Sequence, residues 1–370
     1  MTPERNDEIE AFLAASGWGG AARQPLPGDA STRRYERLAL NGRKAMLMDQ
    51  PQLAETPSAP PDATPEQRRK LGYNALARLA GGDVDRFVAV SNFLRAAGLS
   101  APEVFAADGR LGFAIIEDLG DDLFANVLDR GANEHELYDA AAEVLATLHE
   151  GTAPEVMPLK KHLHAFDETA QFAEIDLMTE WFIPLALGRK AAEEEVEEHH
   201  HLWRQALSQL REAAPVFVHR DYHAQNLIWL PGRAGVQRVG LIDYQDAVAG
   251  SRAYDLISLV EDARRDASTG VAEATASHYL AAMRARGAPL DEFEFRAQMA
   301  VTAAQRNVKI AGIFARLYMR DRKTRYLGYL PRVWGYLNRD LEHPALAGLK
   351  AWYDRTIPPE KRGAPRGVAA

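Results

Sequence analysis

The chain has 370 residues, no cysteine, 46% hydrophobic and 26% charged residues, and a formal net charge of −8. These values exclude wholesale disorder, a collagen and a membrane bundle. Without cysteine there are no disulfides, zinc–thiolate sites, iron–sulfur clusters or thiol nucleophile. The length predicts two or three domains. Net acidity argues against a nucleic-acid partner. No apolar run approaches the roughly 18 residues of a membrane span, and the N-terminus lacks the basic-then-apolar order of a signal peptide. A cytoplasmic protein, monomeric and without membrane contact, is the expectation.

Arg33 to Leu40 and Arg43 to Gln50 are β-prone runs joined by Asn41-Gly42, the signature of a two-residue hairpin turn. Glu55 to Gln67 is rich in proline and small residues and reads as a loop. Asp83 to Leu99 has helical spacing, and Glu103 to Ala107 with Leu111 to Glu117 reads as a second hairpin around Asp108-Gly109. Helical patterns then dominate at Asp121 to Asp129, Glu134 to Glu150, Thr169 to Ile183 and Ala191 to Ala213. Short strands return at Pro215 to His219, Asn226 to Leu230 and Val239 to Asp243, followed by helices at Tyr254 to Asp266, Val271 to Arg286 and Glu292 to Met319. A small strand-rich lobe and a large helical lobe are implied, an α+β plan. The run His199-His200-His201 points in three directions on a helix and reads as a solvated face rather than a metal site.

The informative segment runs from His219 to Asp246. An apolar strand delivers His219-Arg220-Asp221; Asn226 follows four residues after Tyr222; a second apolar strand ends at Asp243. This order of H-R-D-x-x-x-x-N, strand and Asp is the catalytic-loop pattern of phosphotransferases. Phosphoryl transfer needs charge neutralisation and in-line positioning more than covalent help. Asn226 and Asp243 offer hard oxygen ligands to Mg²⁺, and Asp221 can accept a proton from an attacking hydroxyl. His219 belongs with Asp221 in the catalytic set, as a brace for the loop.

These residues resemble the aminoglycoside phosphotransferase-like kinases, which share a bilobal fold with protein kinases. Leu145 to His149, the HRDYHAQN loop, IDYQDA and Tyr254-Asp255-Leu256 occur in that family's order. The resemblance implies ATP and Mg²⁺ as cofactors. It also implies an antiparallel-sheet N-lobe over residues 1–118 that binds nucleotide, a mostly helical C-lobe over 119–345 with catalytic loop and acceptor site, and a tail over 346–370. GDASTRRYERL, MLMDQP, IIEDLGDDLF, LIDYQDAVAGSRAYDLISLVEDARRD and QRNVKIAGIFARL look like the amino-sugar anomeric kinases of cell-wall recycling. That likeness implies phosphorylation of the C1 hydroxyl of N-acetylmuramic acid and N-acetylglucosamine. Another small-molecule kinase of the same fold, or a non-catalytic nucleotide binder, are the competing readings.

The chain departs from the general kinase pattern in three places. It has no G-x-G-x-x-G loop; Gly28 to Thr32 stands there, with Ser31 and Thr32 as hydroxyl donors to phosphate. Met48 occupies the place of the phosphate-binding lysine, and the helix from Asp83 to Leu99 holds no glutamate to pair with one. A substitute cation is therefore expected. Arg33, Arg34 and Lys44 are the candidates; Arg33 and Arg34 face opposite ways on a strand, so at most one faces the nucleotide, and Arg34 is favoured. Glu117 and Leu119, in the EDLG segment after an apolar strand, sit where a hinge would present backbone groups to adenine.

Acceptor binding is expected from Asp221, His223, Glu180, Glu261, Arg264 and Arg306. From residue 301 to 370 there are 14 basic and 5 acidic residues, against a net charge of −17 over the first 300. With Lys309 one helical step from Arg306, a cationic patch is expected to meet the carboxylate of N-acetylmuramate.

Overall fold

The structure is a computed structural model and describes residues 2–27, 32–51, 56–210 and 214–364. Its chain divides into two compact units, each assembled from separated segments.

The first unit comprises Met1–Ala132, Pro154–His164 and Gln225–Ala247. Its centre is an antiparallel sheet of β1 (Ala22–Pro25), β2 (Arg34–Leu40), β3 (Arg43–Asp49), β4 (Val104–Asp108) and β5 (Phe113–Ile116), in spatial order β1-β2-β3-β5-β4. The β2–β3 turn falls on Asn41 and Gly42, at φ 50° and 78°. Two left-handed residues in succession are what a type I′ turn requires, so the Asn-Gly pair sets the register. Leu38, Ala45, Leu47, Phe113 and Ile115 bury one sheet face against Ile9, Phe12 and Leu13 of α1 (Pro3–Ala15). Strand alternation puts Tyr35, Met48 and Ala114, which are paired across the sheet, on the other face.

Helices α2 (Pro65–Leu71) and α3 (Tyr73–Leu76) follow. The capping box of Thr64 and Gln67 starts α2 inside the stretch expected to be loop, because the two side chains reciprocally satisfy the backbone N–H groups of Gln67 and Thr64. Then come α4 (Val84–Ala96), capped by Asp83, and α5 (Phe124–Asp129). The hairpin β7 (Leu227–Trp229) with β8 (Val239–Leu241) belongs to this unit: Leu241 N donates to Ser100 O at 2.8 Å and Trp229 N to Asp122 O at 2.7 Å.

The second unit comprises Asn133–Ala153, Ala165–Ala224 and Val248–Ala370. It holds α6 (Glu134–Leu148), α7 (Glu168–Leu177), a π-helical turn at Met178–Phe182, α8 (Ile183–Leu187) and α9 (Glu193–Ser208). Downstream lie α10 (Ala253–Val260), α11 (Val271–Ala285), the 30-residue α12 (Glu292–Asp321), α13 (Leu330–Asp340) and α14 (Ala347–Thr356). Its short ribbon pairs β6 (Val216–Val218) with β9 (Val248–Gly250). The main core joins Ile175, Phe182, Trp203, Val308, Trp334 and Trp352.

The units differ from the linear cut at residue 118. Backbone pairing, not chain order, assigns β7–β8 to the first unit. Residues 346–370 are not simply a tail, because α14 buries Leu349, Trp352 and Tyr353 in the second core. The three histidines of α9 take separate partners. His199 meets Tyr353 OH at 2.8 Å, His200 meets Asp176 at 2.6 Å, and His201 meets Gln205 at 3.0 Å. The first of them is buried rather than solvated.

Candidate active site

The HRDYHAQN loop passes from the second unit to the first between Ala224 and Gln225. Its residues are therefore described in two groups.

In the first unit, Asn226 directly precedes β7 and Asp243 follows β8 by one residue. Ile242 N donates to Asn226 O at 3.2 Å, which continues the β7–β8 ladder, so pairing brings the two oxygen-bearing side chains to one end of the hairpin. Asp243 has φ 63°, a left-handed conformation uncommon for a residue with a side chain. Its carboxylate accepts from Arg33 Nη1 at 3.1 Å and Gln245 Nε2 at 3.1 Å, with the side chain still 44% exposed. Arg86 of α4 holds the following backbone, donating to Gln245 O at 3.0 Å and Ala247 O at 2.7 Å. Asp246 accepts from Ala80 N at 2.6 Å. An accessible carboxylate beside an amide oxygen suits Mg²⁺, which keeps several waters and takes few protein ligands. Among the described residues no cluster of three or more acidic or histidine side chains is built for a metal. The donor set at this hairpin fits a cation completed by solvent and phosphate.

The arginine that meets Asp243 is Arg33 rather than Arg34. Arg34 is exposed and pairs with Asp49 in the sheet. One residue earlier the side chain falls on the opposite face, with Tyr35 and Met48. There Arg33 Nε donates to Gln50 Oε1 at 2.8 Å, and Gln50 Nε2 donates to Thr32 Oγ1 at 3.0 Å. Burial works against the Arg33 charge, but Tyr35, Asp243 and Asp246 outweigh it and hold the guanidinium protonated. Met48 is fully buried, and α4 carries Arg86 where a glutamate was sought. Thus a cation reaches the sheet face of Met48 from the residue that precedes β2.

Of the remaining nucleotide-site expectations, Ser31 lies outside the described residues. Thr32 is half-buried and accepts from Gln50. Glu117 N donates to Glu103 O at 2.7 Å, and its carboxylate is taken by Arg233 at 2.6 Å. Leu119 lies over the β8 backbone, so that a Cβ on Gly240 would come within 3.1 Å of it.

In the second unit, β6 delivers His219, Arg220 and Asp221. Arg220 has φ 76°. The buried Asp255 carboxylate of α10 accepts from His219 N at 2.6 Å and Arg220 N at 2.9 Å, and so holds this strained turn. Burial pushes the Asp255 carboxyl up to about 7 in spite of those two donors. The Arg220 guanidinium donates to Glu174 of α7, a pair with 1% and 0% side-chain exposure. His219 is fully buried and its Nδ1 accepts from Asp221 N at 3.3 Å. Burial raises the Asp221 carboxyl, yet Lys309, His223, Arg220 and His219 together hold it below the ordinary carboxylate range. Asp221 is thus ionised at neutral pH, as a base must be. His223 N donates to Asp221 O at 3.0 Å, and burial keeps its imidazole neutral.

His223 stands among Asp262, Arg264, Asp221 and Arg306, which gathers four of the expected acceptor residues. Glu261 is spent inside the fold: its carboxylate accepts from Asn307 at 2.8 Å and Arg339 at 2.9 Å, and its carbonyl from Arg306 at 3.1 Å. Each carboxylate oxygen holds one partner, which ties Glu261 to α12 and α13. Glu180 is exposed on the π turn, beside Asp176 and Arg316. Glu174 was missed, since nothing local marks the residue that must neutralise Arg220 from 46 positions upstream. Asp262, beside His223, is 2% exposed.

An antiparallel sheet with a helical remainder, a left-handed H-R-D turn and the Asn–Asp hairpin end define a protein-kinase-like phosphotransferase fold. Solved structures agree with that fold: choline kinase LicA from Streptococcus pneumoniae matches with a TM-score of 0.56 at 14% identity, covering 93% of this chain and 99% of that one. The ADP-bound aminoglycoside phosphotransferase APH(2'')-Ib matches with a TM-score of 0.51 at 12% identity, covering 95% and 99%. Residues 22–290 match the phosphotransferase enzyme family, and the chain belongs to it. It is 45% identical over 368 residues to the N-acetylmuramate/N-acetylglucosamine kinase of Caulobacter vibrioides, covering 98% of this chain and 99% of that protein. It is 31% identical over 347 residues to the protein of the same name from Pseudomonas aeruginosa, covering 92% and 91%.

Proposed function

We propose that the protein transfers the γ-phosphoryl group of ATP to the anomeric C1 hydroxyl of N-acetylmuramate and N-acetylglucosamine, giving sugar 1-phosphates for cell-wall recycling. The observation that carries this reading is the near full-length similarity to kinases named for both sugars. It is supported by the intact order of Asp221, Asn226 and Asp243 in the chain.

Asn226 and Asp243 would hold Mg²⁺, which would supply neutralisation of phosphate charge. Arg33 adds a fixed cation beside Asp243, in place of the absent strand lysine. Asp221 takes the proton of the attacking hydroxyl; the anomeric hydroxyl is the most acidic of a sugar, so a carboxylate held ionised suits it. Arg306 and Arg264, near neutral His223, attract the carboxylate of N-acetylmuramate, while the neutral sugar dispenses with that contact. No helix among the described residues is long and apolar enough to cross a membrane, and we place the reaction in the cytoplasm, where ATP is available.

The test is incubation with Mg-ATP and a panel of both amino sugars, choline and an aminoglycoside, with ³¹P NMR of the product. Phosphate at C1 of either sugar is the expected result. Transfer only to choline or the aminoglycoside would overturn the acceptor assignment, and no transfer at all would overturn the kinase reading.

A further inference from the structure

Helix α12 lies beyond the family-matched residues 22–290, yet it sends side chains into the turn that carries Asp221. Its Arg306 and Asn307 go to Glu261. Its Gln305 and Lys309, one turn apart on a shared face, go to Glu174 instead: Gln305 Nε2 to Oε2 at 3.0 Å, Lys309 Nζ to Oε1 at 3.0 Å. Lys309 also donates to Tyr254 OH at 3.1 Å and keeps only 13% side-chain exposure. The expected cationic patch is therefore divided, and Lys309 points inward.

Charge counting makes that lysine unusual. Arg220 and Glu174 already form a neutral buried pair. A second buried cation on the same carboxylate carries a desolvation cost without a local need. The further anion in its field is Asp221, the residue after Arg220. Arg220, Lys309, Glu174 and Asp221 together sum to zero. The other charged or titratable groups facing Asp221 are His219, His223 and Asp255; Asp255 is occupied by the backbone N–H groups of the turn.

We propose that Lys309 is a positioning residue for phosphoryl transfer: through Glu174 it fixes Arg220, and its charge balances the Asp221 carboxylate while its own bonds go to Glu174 and Tyr254. The inference rests on Asp221 being the base of the reaction proposed above. It extends the functional machinery of the chain into a helix outside the family-matched span.

The experiment compares the full-length wild type with Lys309→Met, Lys309→Arg and Glu174→Gln. Steady-state phosphorylation of N-acetylglucosamine, slow hydrolysis of Mg-ATP without sugar, and thermal melting are measured on each. Lys309→Met is expected to lower kcat about tenfold or more in both reactions, with KM for ATP changed by less than about twofold. Lys309→Arg should recover kcat to within about threefold of wild type, because the charge survives. Wild-type kcat in Lys309→Met, or an equal loss in Lys309→Arg, would overturn the proposal, as would a rise confined to the sugar KM. Should Lys309→Met fail to fold, the other two variants carry the test: retained kcat in Lys309→Arg with a loss in Glu174→Gln supports it, and equal kcat in both overturns it. Failure of the sugar assignment has a separate signature, namely wild-type ATP hydrolysis with no transfer to either sugar, and the ranking of variants by hydrolysis still decides the role of Lys309.

Discussion

Each unit holds one chemically important turn in a left-handed conformation, at Asp243 in the first and at Arg220 in the second. The two turns are held by opposite charges. Around Asp243 the holders are arginines: Arg33 on the carboxylate and Arg86 on the carbonyls of residues 245 and 247. Around Arg220 they are carboxylates: Asp255 on two backbone N–H groups and Glu174 on the guanidinium. On the roles proposed above, the difference follows the ligand each turn would serve. A segment that meets phosphates gains from cationic scaffolding. A segment that carries a proton-accepting carboxylate can use acidic anchors only if a further cation offsets them, and Lys309 supplies it.

The sharpest way to break this comparison is Asp221→Asn, which keeps the shape of the acidic-anchored turn and removes its base. We expect kcat to fall about 10²–10⁴-fold with ATP binding retained, measured by initial rates and nucleotide titration. Turnover near wild type would remove Asp221 from the reaction. Asp243→Ala takes the anion out of the arginine-held turn; productive binding of Mg-ATP should be lost, and an unchanged dependence of rate on Mg²⁺ would contradict its role.

Asp255→Ala tests the anchoring of the second turn directly. It strands two buried N–H donors, each worth about 1–3 kcal/mol, and denaturant unfolding should register that loss. The pH dependence carries a sign. Because the Asp255 carboxyl is raised from 3.8 to about 7, the folded protein binds its proton more tightly than the unfolded chain. Its contribution to stability is complete below the unfolded value and is lost as pH rises through about 7. Asp255→Asn should flatten the stability profile across that window, and an unaltered slope would show that Asp255 does not titrate there.

The smallest expected effect separates two adjacent arginines. Arg33→Met should raise KM for ATP about tenfold, because one buried charge-assisted contact is removed. Arg34→Met should leave it within about twofold, since that side chain is exposed. The reverse ranking would undo the assignment of Arg33 as the substitute cation.

Much of this architecture was legible in one dimension. Asn41-Gly42 demanded a left-handed pair and produced the β2–β3 hairpin. The apolar runs before His219 and before Asp243 became β6 and β8. The strand period correctly required Arg33 and Arg34 to part, but choosing between them needed the register of Arg34 with Asp49, which a single strand does not carry. The N-terminal α1 and the ribbon strand β9 were not anticipated. Helix α1 mixes charged residues through its pattern and is stabilised by the sheet it covers; β9 is three residues long and gains its pairing from β6, thirty positions away.

The amino-acid order by itself pointed to the class of chemistry, because Asp221, Asn226 and Asp243 follow the catalytic-loop order of phosphotransferases around two short strands. It also determined that no lysine–glutamate pair would serve the phosphates from β3 and α4. Only the tertiary structure decided that Arg33 rather than Arg34 meets Asp243, that Glu261 is bonded to Arg306, Asn307 and Arg339, and that Glu174 and Lys309 converge behind the turn bearing Asp221. Those outcomes depend on charges brought together across 46 to 210 positions of chain. A local pattern encodes which groups a segment offers, whereas the neutralisation of a buried charge depends on whichever distant segment is folded against it.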